Sequence, residues 1–491
     1  MTVVNPKSIS GINSITTGSG SDNLLTIHTN EGTERVRVDS TGTTKIVTGI
    51  VTTLTATTGI VTTLTTNTAK VGTGITLSSD GDVFTTGITT SSSVIVGGGV
   101  TISESGIEAS GIGITVANIN GAQIGGRRNI IINGDQRVAQ RTTKEVLMDG
   151  SADYRCVDRF KTDYDGSGGG NWYHAQTGAG TTISADVPTG QGFSHSSKIT
   201  INTTASQPSG TDHHHQFYTM LERQDVYHLE WATSSAKTCT LSFWVKGSIT
   251  GTYGLWMAFY GSSGGSNYYY WTNYSIDSAN TWEKKVITVT GPTSGGATTS
   301  TNDLGLRIEW LLGSGSDTET GTLHEWTTSN VIRTASGTVY LPENSGATWY
   351  ITGVQFEVGP QATAFEHRSY DEEFALCQRY YQKYRHGSYR GINFMGRATS
   401  SNTVVGVTYG FPPMRTSAAG TVNGTGSYRM YRITDGTAST PTAISFAHEN
   451  YSPYNVLKFN ATMSSGTYSS GSMCTMYNTG TGGTLELDAE L

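Results

Sequence analysis

The chain has 491 residues and a net charge of −7, and charged residues make up only 14% of it, against about 25% in a typical soluble protein. Lys and Arg form no cluster of the kind that phosphate contacts require, which excludes nucleic acid as a partner. No run approaches the roughly 20 apolar residues of a membrane helix, so membrane insertion is not expected, and the opening Met1-Thr-Val-Val-Asn-Pro-Lys-Ser lacks the basic and apolar parts of a signal peptide.

The first element in chain order is a hairpin. Leu24-Leu-Thr-Ile-His-Thr29 and Arg35-Val-Arg-Val38 alternate in polarity around Asn30-Glu-Gly-Thr-Glu34, whose Gly suits a turn. Residues 1–45 are read as a small β-element. Next, Gly49-Ile-Val-Thr-Thr-Leu-Thr-Ala-Thr-Thr58 is followed by Gly59-Ile-Val-Thr-Thr-Leu-Thr-Thr-Asn-Thr68, a ten-residue repeat that continues loosely to residue 125 with almost no charge and no Pro. β-Branched residues favour extended backbone, in which Ile50, Thr52 and Leu54 share one face and Val51, Thr53 and Thr55 the other. Neither face is apolar enough to form a core within one chain. Closure of identical chains about an axis would cover the open strand edges, so residues 46–125 are expected to form a trimeric β-shaft.

Tyr and Trp are absent before Tyr154 and abundant after it, which marks a change from fibrous to globular chain. From residue 126, short apolar or alternating runs bounded by Gly, Ser, Asn or Pro follow one another: Leu241-Ser-Phe-Trp-Val-Lys-Gly247, Thr281-Trp-Glu-Lys-Lys-Val-Ile-Thr-Val289, Gly305-Leu-Arg-Ile-Glu-Trp310 and Trp349-Tyr-Ile-Thr-Gly-Val-Gln-Phe-Glu-Val358. They predict a jelly-roll sandwich over 126–368. Ser369-Tyr-Asp-Glu372 fits a capping box, and Phe374, Cys377, Tyr381 and Tyr384 recur at helical spacing, which predicts one helix over 369–386. Thr403-Val-Val-Gly-Val-Thr-Tyr409, Ser427-Tyr-Arg-Met-Tyr-Arg-Ile433 and Leu485-Glu-Leu487 predict a second, smaller β-domain over 387–491, a C-terminal β-sandwich tip. The fold class is therefore all-β: an elongated trimeric fibre with one short helix.

Several of these phrases carry a resemblance. Asn129-Ile-Ile-Ile-Asn-Gly-Asp135, the Ser-Phe-Trp-Val-Lys strand, Ile351-Thr-Gly-Val-Gln-Phe-Glu-Val358, Ala364-Phe-Glu-His-Arg-Ser-Tyr370 and Ala375-Leu-Cys-Gln-Arg-Tyr-Tyr381 resemble a module common in tail fibre proteins of bacteriophages. The Leu-Thr-Ile-His-Thr-Asn and Glu-Arg-Val-Arg-Val-Asp-Ser phrases resemble those of marine phage fibres, including those of cyanophages. The resemblance covers roughly residues 8–40 and 129–384. It implies a jelly roll similar to carbohydrate-binding modules, with a host-surface glycan as the expected receptor; and since a fibre must attach by one end, the N-terminus, which has no bulky domain, is expected to dock on phage tail or baseplate proteins. It also implies a tail appendage of the virion, made in the host cytoplasm.

The chemistry-bearing residues are few. Cys156, Cys239, Cys377 and Cys474 are scattered without CxxC or metal-ligand spacing and are expected as buried free thiols. Gly261-Ser-Ser-Gly-Gly265 satisfies GxSxG formally, but a nucleophile elbow needs a strand before it and a helix after it. His213 and His215, as a His-x-His pair repeated about a threefold axis, are the residues that would hold a transition metal. A solvated loop or satisfied strand is the plainer reading of Asp212-His-His-His-Gln216, and neither metal nor cofactor is expected. Glu366, Asp371, Glu372 and Glu373 offer paired carboxylates, yet acids at a helix start serve its dipole, and no enzyme is expected.

Sugar recognition needs aromatic faces with polar neighbours. Asn267-Tyr-Tyr-Tyr-Trp-Thr-Asn-Tyr274 supplies both, making Tyr268, Tyr270, Trp271 and Tyr274 candidates, with Tyr268 and Tyr270 on the outer face and Tyr269 and Trp271 toward the core. Tyr428, Tyr431, Tyr451 and Tyr454 are candidates in the C-terminal domain. The sequence thus reads as a homotrimeric tail fibre for host recognition. Its rivals are a capsid or neck decoration fibre and a tailspike that cleaves surface glycan.

Overall fold

The computed structural model describes strand backbones ahead of residue 127 and, from there to residue 491, everything except short segments at 149, 151, 165–169, 210–212, 262–266, 296–300, 317–322, 330–336, 386–393, 410, 424–427, 452–453, 464–467 and 479–482. Backbone contacts divide the chain into Met1–Ile114 and Thr115–Leu491. Among its described residues the first unit holds three antiparallel three-stranded sheets. They are β1 (Leu25–His28), β2 (Glu34–Val38) and β3 (Thr44–Ile46); β4 (Ala69–Val71), β5 (Ile75–Leu77) and β6 (Val83–Thr85); and β7 (Ser93–Val96), β8 (Val100–Ser103) and β9 (Gly106–Ala109). The β1–β2 pair, Leu25 opposite Val38 and Ile27 opposite Val36, is the hairpin that its alternation indicates. The exact repeat at residues 49–68 lies outside the described residues.

The second unit opens with a two-stranded hairpin, β10 (Asn118–Ile119) and β11 (Ala122–Gln123), and continues as a β-sandwich. Its strands are β12 (Val146–Met148), β13 (Phe160–Tyr164), β14 (Asn171–Gly178), β15 (His195–Thr203), β16 (His214–Glu222), β17 (Thr238–Gly247), β18 (Gly251–Phe259), β19 (Tyr268–Ile276), β20 (Glu283–Thr290), β21 (Leu304–Ser314), β22 (Trp326–Thr327) and β23 (Thr348–Val358), with a one-turn helix α1 (Arg223–Val226) after β16. One sheet runs β12-β14-β15-β23-β17-β20 and the other β13-β16-β21-β18-β19-β22. Alternation decides what each strand gives to the space between them. Leu306, Ile308, Trp310 and Leu312 of β21 and Leu241, Phe243 and Val245 of β17 all point inward and are fully buried. Aromatic rings dominate this core: Phe217 lies 5.5 Å from Trp349 and 6.2 Å from Trp310, which meets Phe243 edge-on at 5.5 Å. Each such side chain contributes about 1.5–3 kcal/mol by leaving water.

Segment 129–135 clasps β23 to the chain that follows it. Ile130 N–H donates to the Phe356 carbonyl at 2.9 Å, and Asn129 Oδ1 accepts from the Ile131 and Phe356 amides at 3.0 and 3.1 Å. From the other side, Arg368 donates to the carbonyls of Ile131, at 3.1 Å, and Asn129, while Glu373 accepts the Asn133 amide at 2.5 Å. Burial raises the Glu373 carboxyl above its ordinary range even though the Asn133 amide and Arg368 favour its charged form.

Helix α2 (Tyr370–Gln378) starts where the capping box places it, with Ser369 Oγ accepting the Glu372 amide at 3.2 Å. It is shorter than the spacing predicts. Tyr381 and Tyr384 belong instead to β24 (Tyr381–Arg385), because the chain pairs with β33 (Thr484–Asp488), Tyr381 opposite Asp488 and Tyr384 opposite Leu485. Polar locks force the change of course. Glu222, fully buried, accepts from Arg379 at 2.7 and 2.8 Å and from Tyr380 at 2.5 Å. The Arg159 guanidinium lies over the Tyr380 ring at 3.4 Å and pairs with Glu490. Each buried charge meets an opposite one, without which it would be costly to bury.

The remaining strands are β25 (Phe394–Ala398), β26 (Thr403–Tyr409), β27 (Ala418–Asn423), β28 (Tyr428–Arg432), β29 (Ala438–Ser439), β30 (Pro441–Tyr451), β31 (Tyr454–Met463) and β32 (Met473–Asn478). With β24 and β33 they make one ten-stranded antiparallel sheet, β24-β33-β27-β30-β31-β26-β25-β32-β28-β29. It buries its own core of alternating residues, in which Phe394 lies 5.0 Å from Phe446 and 5.5 Å from Phe459. All four cysteines are buried and unpaired. No helix among the described residues is long and apolar enough to cross a membrane.

Candidate functional site

The β18–β19 hairpin reverses the faces expected for the tyrosine-rich strand. Pairing sets Trp256 opposite Trp271 and Met257 opposite Tyr270, and since Met257 is core, Tyr270 and Tyr274 face the core with it. A strand's faces exchange with a shift of one residue, and local alternation alone does not say which is inside. Tyr270 and Tyr274 are 4% and 5% exposed, and Tyr274 Oη accepts from Trp349 Nε1 at 3.2 Å. Tyr268 also packs against this core. Tyr269 and Trp271 take the opposite face, where Trp271 is 4% exposed and Tyr269 stacks on Trp256 at 5.3 Å. None of Tyr270, Trp271 and Tyr274 has an open ring face to offer a sugar.

In the C-terminal sheet, Tyr428 is buried in the core while Tyr431 is exposed on the outer face. Tyr451 and Tyr454 oppose each other at the end of the β30–β31 hairpin, and their side chains lie outside the described residues. Within one chain the histidines have different surroundings. His215 is fully buried, 2.9 Å from Tyr340 Oη and packed on Tyr164 at 4.4 Å, while His213 precedes β16 and its carbonyl accepts the Gly315 amide at 2.7 Å. Among the described residues no group of three His, Cys, Asp or Glu side chains could hold a metal ion. The carboxylates are occupied structurally: Glu366 accepts the Asn129 amide at 2.5 Å, Glu373 is part of the clasp, and Glu372 pairs with Arg127 at 2.8 Å, leaving Asp371 exposed in the first turn of α2. The GxSxG phrase falls in the link between strands β18 and β19, not before a helix, and residues 262–266 lie outside the described ones.

The open aromatic surface is on the other sheet. In β17, Phe243 and Val245 enter the core, so Ser242, Trp244 and Lys246 present the outward face. Pairing extends this face sideways. Trp244 stands between Lys284 of β20 and Thr352 of β23, and Lys246 stands beside Tyr350, itself opposite Lys198 of β15. Opposite Phe243, β23 carries a bulge: Ser242 pairs with Gln355 and Trp244 with Thr352, which leaves Gly353 and Val354 against one residue. Gly353 has φ +63°, and a Cβ there would lie 2.6 Å from Phe193 Cζ. The bulge thereby admits Phe193, which meets Phe365 edge-on at 5.0 Å and His367 at 5.3 Å.

The result is a groove of about 360 Å³ walled by Trp244, Phe193 and Phe365, with Ser242, Lys284 and His367 as polar groups at its sides. That size falls within the roughly 300–1,000 Å³ of small-ligand sites. Beside it, Lys246 lies 4.3 Å over the Tyr350 ring and 5.6 Å from Trp282, and Asp186 accepts from both Lys246 and Trp282 Nε1, the latter at 3.0 Å. Burial, with the Asp186 charge, raises the Tyr350 hydroxyl above its ordinary value and keeps it a neutral donor. Flat apolar faces beside hydroxyl, amide and ammonium groups suit a ring that is apolar on its faces and polar at its edge. The strand Ser-Phe-Trp-Val-Lys indicates the outward Trp244 by alternation alone. Phe193, Phe365 and His367 come from distant loops and carry no local signal.

No family model matches the chain, and no curated protein matches it. Similar solved structures include the enzymatically active domain of tailspike protein 4 of bacteriophage CBA120, at 12% identity and a TM-score of 0.25, covering 47% of this chain and 21% of that one. A family 11 carbohydrate-binding module from Clostridium thermocellum in complex with a β-1,3-1,4-mixed-linked tetrasaccharide gives 11% identity and a TM-score of 0.21, covering 45% and 98%. The N-terminal CBM22-1-CBM22-2 tandem domain of Paenibacillus barcinonensis Xyn10C gives 9% and 0.22, covering 74% and 98%. Identities and TM-scores this low assign neither ligand nor activity to this chain.

Proposed function

We propose that this chain is a homotrimeric bacteriophage tail fibre that holds the virion to glycan on the host surface without cleaving it, and that the groove at Trp244 is a sugar-binding site. The observation that carries the reading is an open groove of aromatic rings and polar side chains on the outer face of a rigid sheet. Resemblance of the Asn129–Asp135 and Ala364–Tyr381 phrases to phage fibre modules supports the virion assignment. In this reading the N-terminal β-element docks on tail or baseplate proteins and the sandwich points outward. Each contact is weak, and three copies on each of several fibres raise the avidity by orders of magnitude.

The test is competition. Purified full-length protein is expected to block adsorption of the parent phage to its host, and Trp244→Ala, with an unchanged melting temperature, is expected to block less well, at a cost of roughly 1–3 kcal/mol per site if the ring is a hot spot. A protein that neither binds cells nor competes is a decoration fibre. Release of reducing sugar from host polysaccharide makes it a depolymerase.

A further inference from the structure

The groove is bordered by cations. Lys284 projects from β20 directly across from Trp244 and is exposed. Lys198 lies opposite Tyr350 and 5.7 Å over its ring. Arg128 donates to Thr363 Oγ1 at 3.0 Å and to the carbonyl of Ala364, which lines the groove, at 3.5 Å. Lys246 completes the set. Three acids lie nearby, and one of them, Glu366, accepts the Asn129 amide and lies 3.6 Å from Arg368. Asp186 is taken by Lys246, and Glu357, 1% exposed, accepts from Gln355, Thr363 Oγ1 and the Thr363 amide. Among the described residues neither Lys198 nor Lys284 has an ion-pair partner. A chain with net charge −7 thus surrounds its open aromatic groove with uncompensated positive charge.

Neutral sugars give such cations nothing beyond hydrogen bonds. An ammonium beside a stacking ring recognises a ring that carries its own anion. Resting on the reading of the groove as a sugar site, we propose that its ligand is an acidic saccharide, a glycan with a carboxylate or sulfate on the repeating unit, whose ring stacks on Trp244 while Lys284 meets the anionic group.

Full-length protein is titrated with three immobilised polymers: polygalacturonate, dextran sulfate and unmodified dextran. Binding to one or both acidic polymers and not to dextran is expected, and the arm that binds tells carboxylate from sulfate. Lys284→Gln, an exposed change, is expected to weaken that binding about tenfold. Lys458→Gln, an exposed lysine of β31 far along the chain, is expected to leave it unchanged. The inference is overturned if dextran binds as well as the acidic polymers, if neither acidic polymer binds, or if Lys284→Gln and Lys458→Gln behave alike. The two readings fail separately. Cell binding that is lost in Trp244→Ala but kept in Lys284→Gln leaves the groove a sugar site for a neutral ligand, whereas cell binding untouched by Trp244→Ala removes the groove itself.

Discussion

His174 shows what one buried side chain can do to the pH response of the sandwich. It is fully buried on β14, edge-on to Phe217 at 5.7 Å and 3.4 Å from Ser197 Oγ, and desolvation lowers its pKa to about 3. The ring is therefore neutral in the fold, while the unfolded chain takes up a proton near the ordinary value of about 6.5. Its contribution is fully present above that value and is lost as pH falls toward 3, at up to about 1.4 kcal/mol per pH unit. Asp158 works in the opposite sense. Burial pushes its carboxyl up to about 7, so the stability tied to its protonated form is present at low pH and is lost as pH rises through 7. Comparing His174→Gln with the parent isolates the histidine: denaturant midpoints between pH 7 and 5 are expected to fall less steeply in the variant, whatever the offset at pH 7. Parallel slopes would refute the assignment.

Among elements, β23 has the most demands on it. It pairs on both sides, accepts the 129–135 clasp and carries the bulge that shapes the groove. Gly353 meets two of these demands at once, through its positive φ and through the space that it leaves for Phe193. Gly353→Ala is expected to cost roughly 1–3 kcal/mol from backbone strain and the displaced ring. It should also weaken ligand binding, although residue 353 offers a ligand no functional group. Thermal unfolding with the binding titration checks both, and a variant as stable and as competent as the parent refutes the role given to the bulge. The clasp itself, through Asn129, Asn133, Arg368 and Glu373, holds together two segments more than 230 residues apart.

For the whole molecule, the open question is assembly. The C-terminal sheet leaves several large apolar side chains uncovered. Met395, Val405, Val407, Tyr431, Ile433 and Met473 are all exposed on the C-terminal sheet, and pairing places Met395 and Tyr431 on either side of Thr475, and Val405 and Met473 on either side of Arg397. Exposed apolar side chains grouped on one region of a sheet, here interleaved with Thr475 and Arg397, suit an interaction face. In the fibre reading it meets other copies of the chain. Multi-angle light scattering of the full-length protein is expected to give three times the chain mass, and Val405→Lys with Val407→Lys should lower it. A monomer at micromolar concentration refutes the trimer.

What the sequence determined by itself is what neighbouring residues decide among themselves. β-Branched and aromatic alternation between Gly, Ser and Asn made strands, alternation over residues 25–38 made the β1–β2 pair, and Ser369 with Glu372 started α2 at its observed residue. These outcomes depend on backbone sterics and hydrogen bonds within a few residues. Tertiary structure decided the rest. Tyr268 and Tyr270 turned inward because the β18–β19 register puts them on the face of Met257 and Phe259, which packs in the core between the sheets. Tyr381 and Tyr384 left the helical pattern because a ladder with β33 and the Glu222 ion pairs outweighed one more helical turn. The groove needed Phe193, Trp244, Lys284 and Phe365, four residues from four separate segments, brought together by a bulge that has no local signature. Alternation tells a strand that it has two faces, and only the competition for buried area among all strands decides which of them meets water.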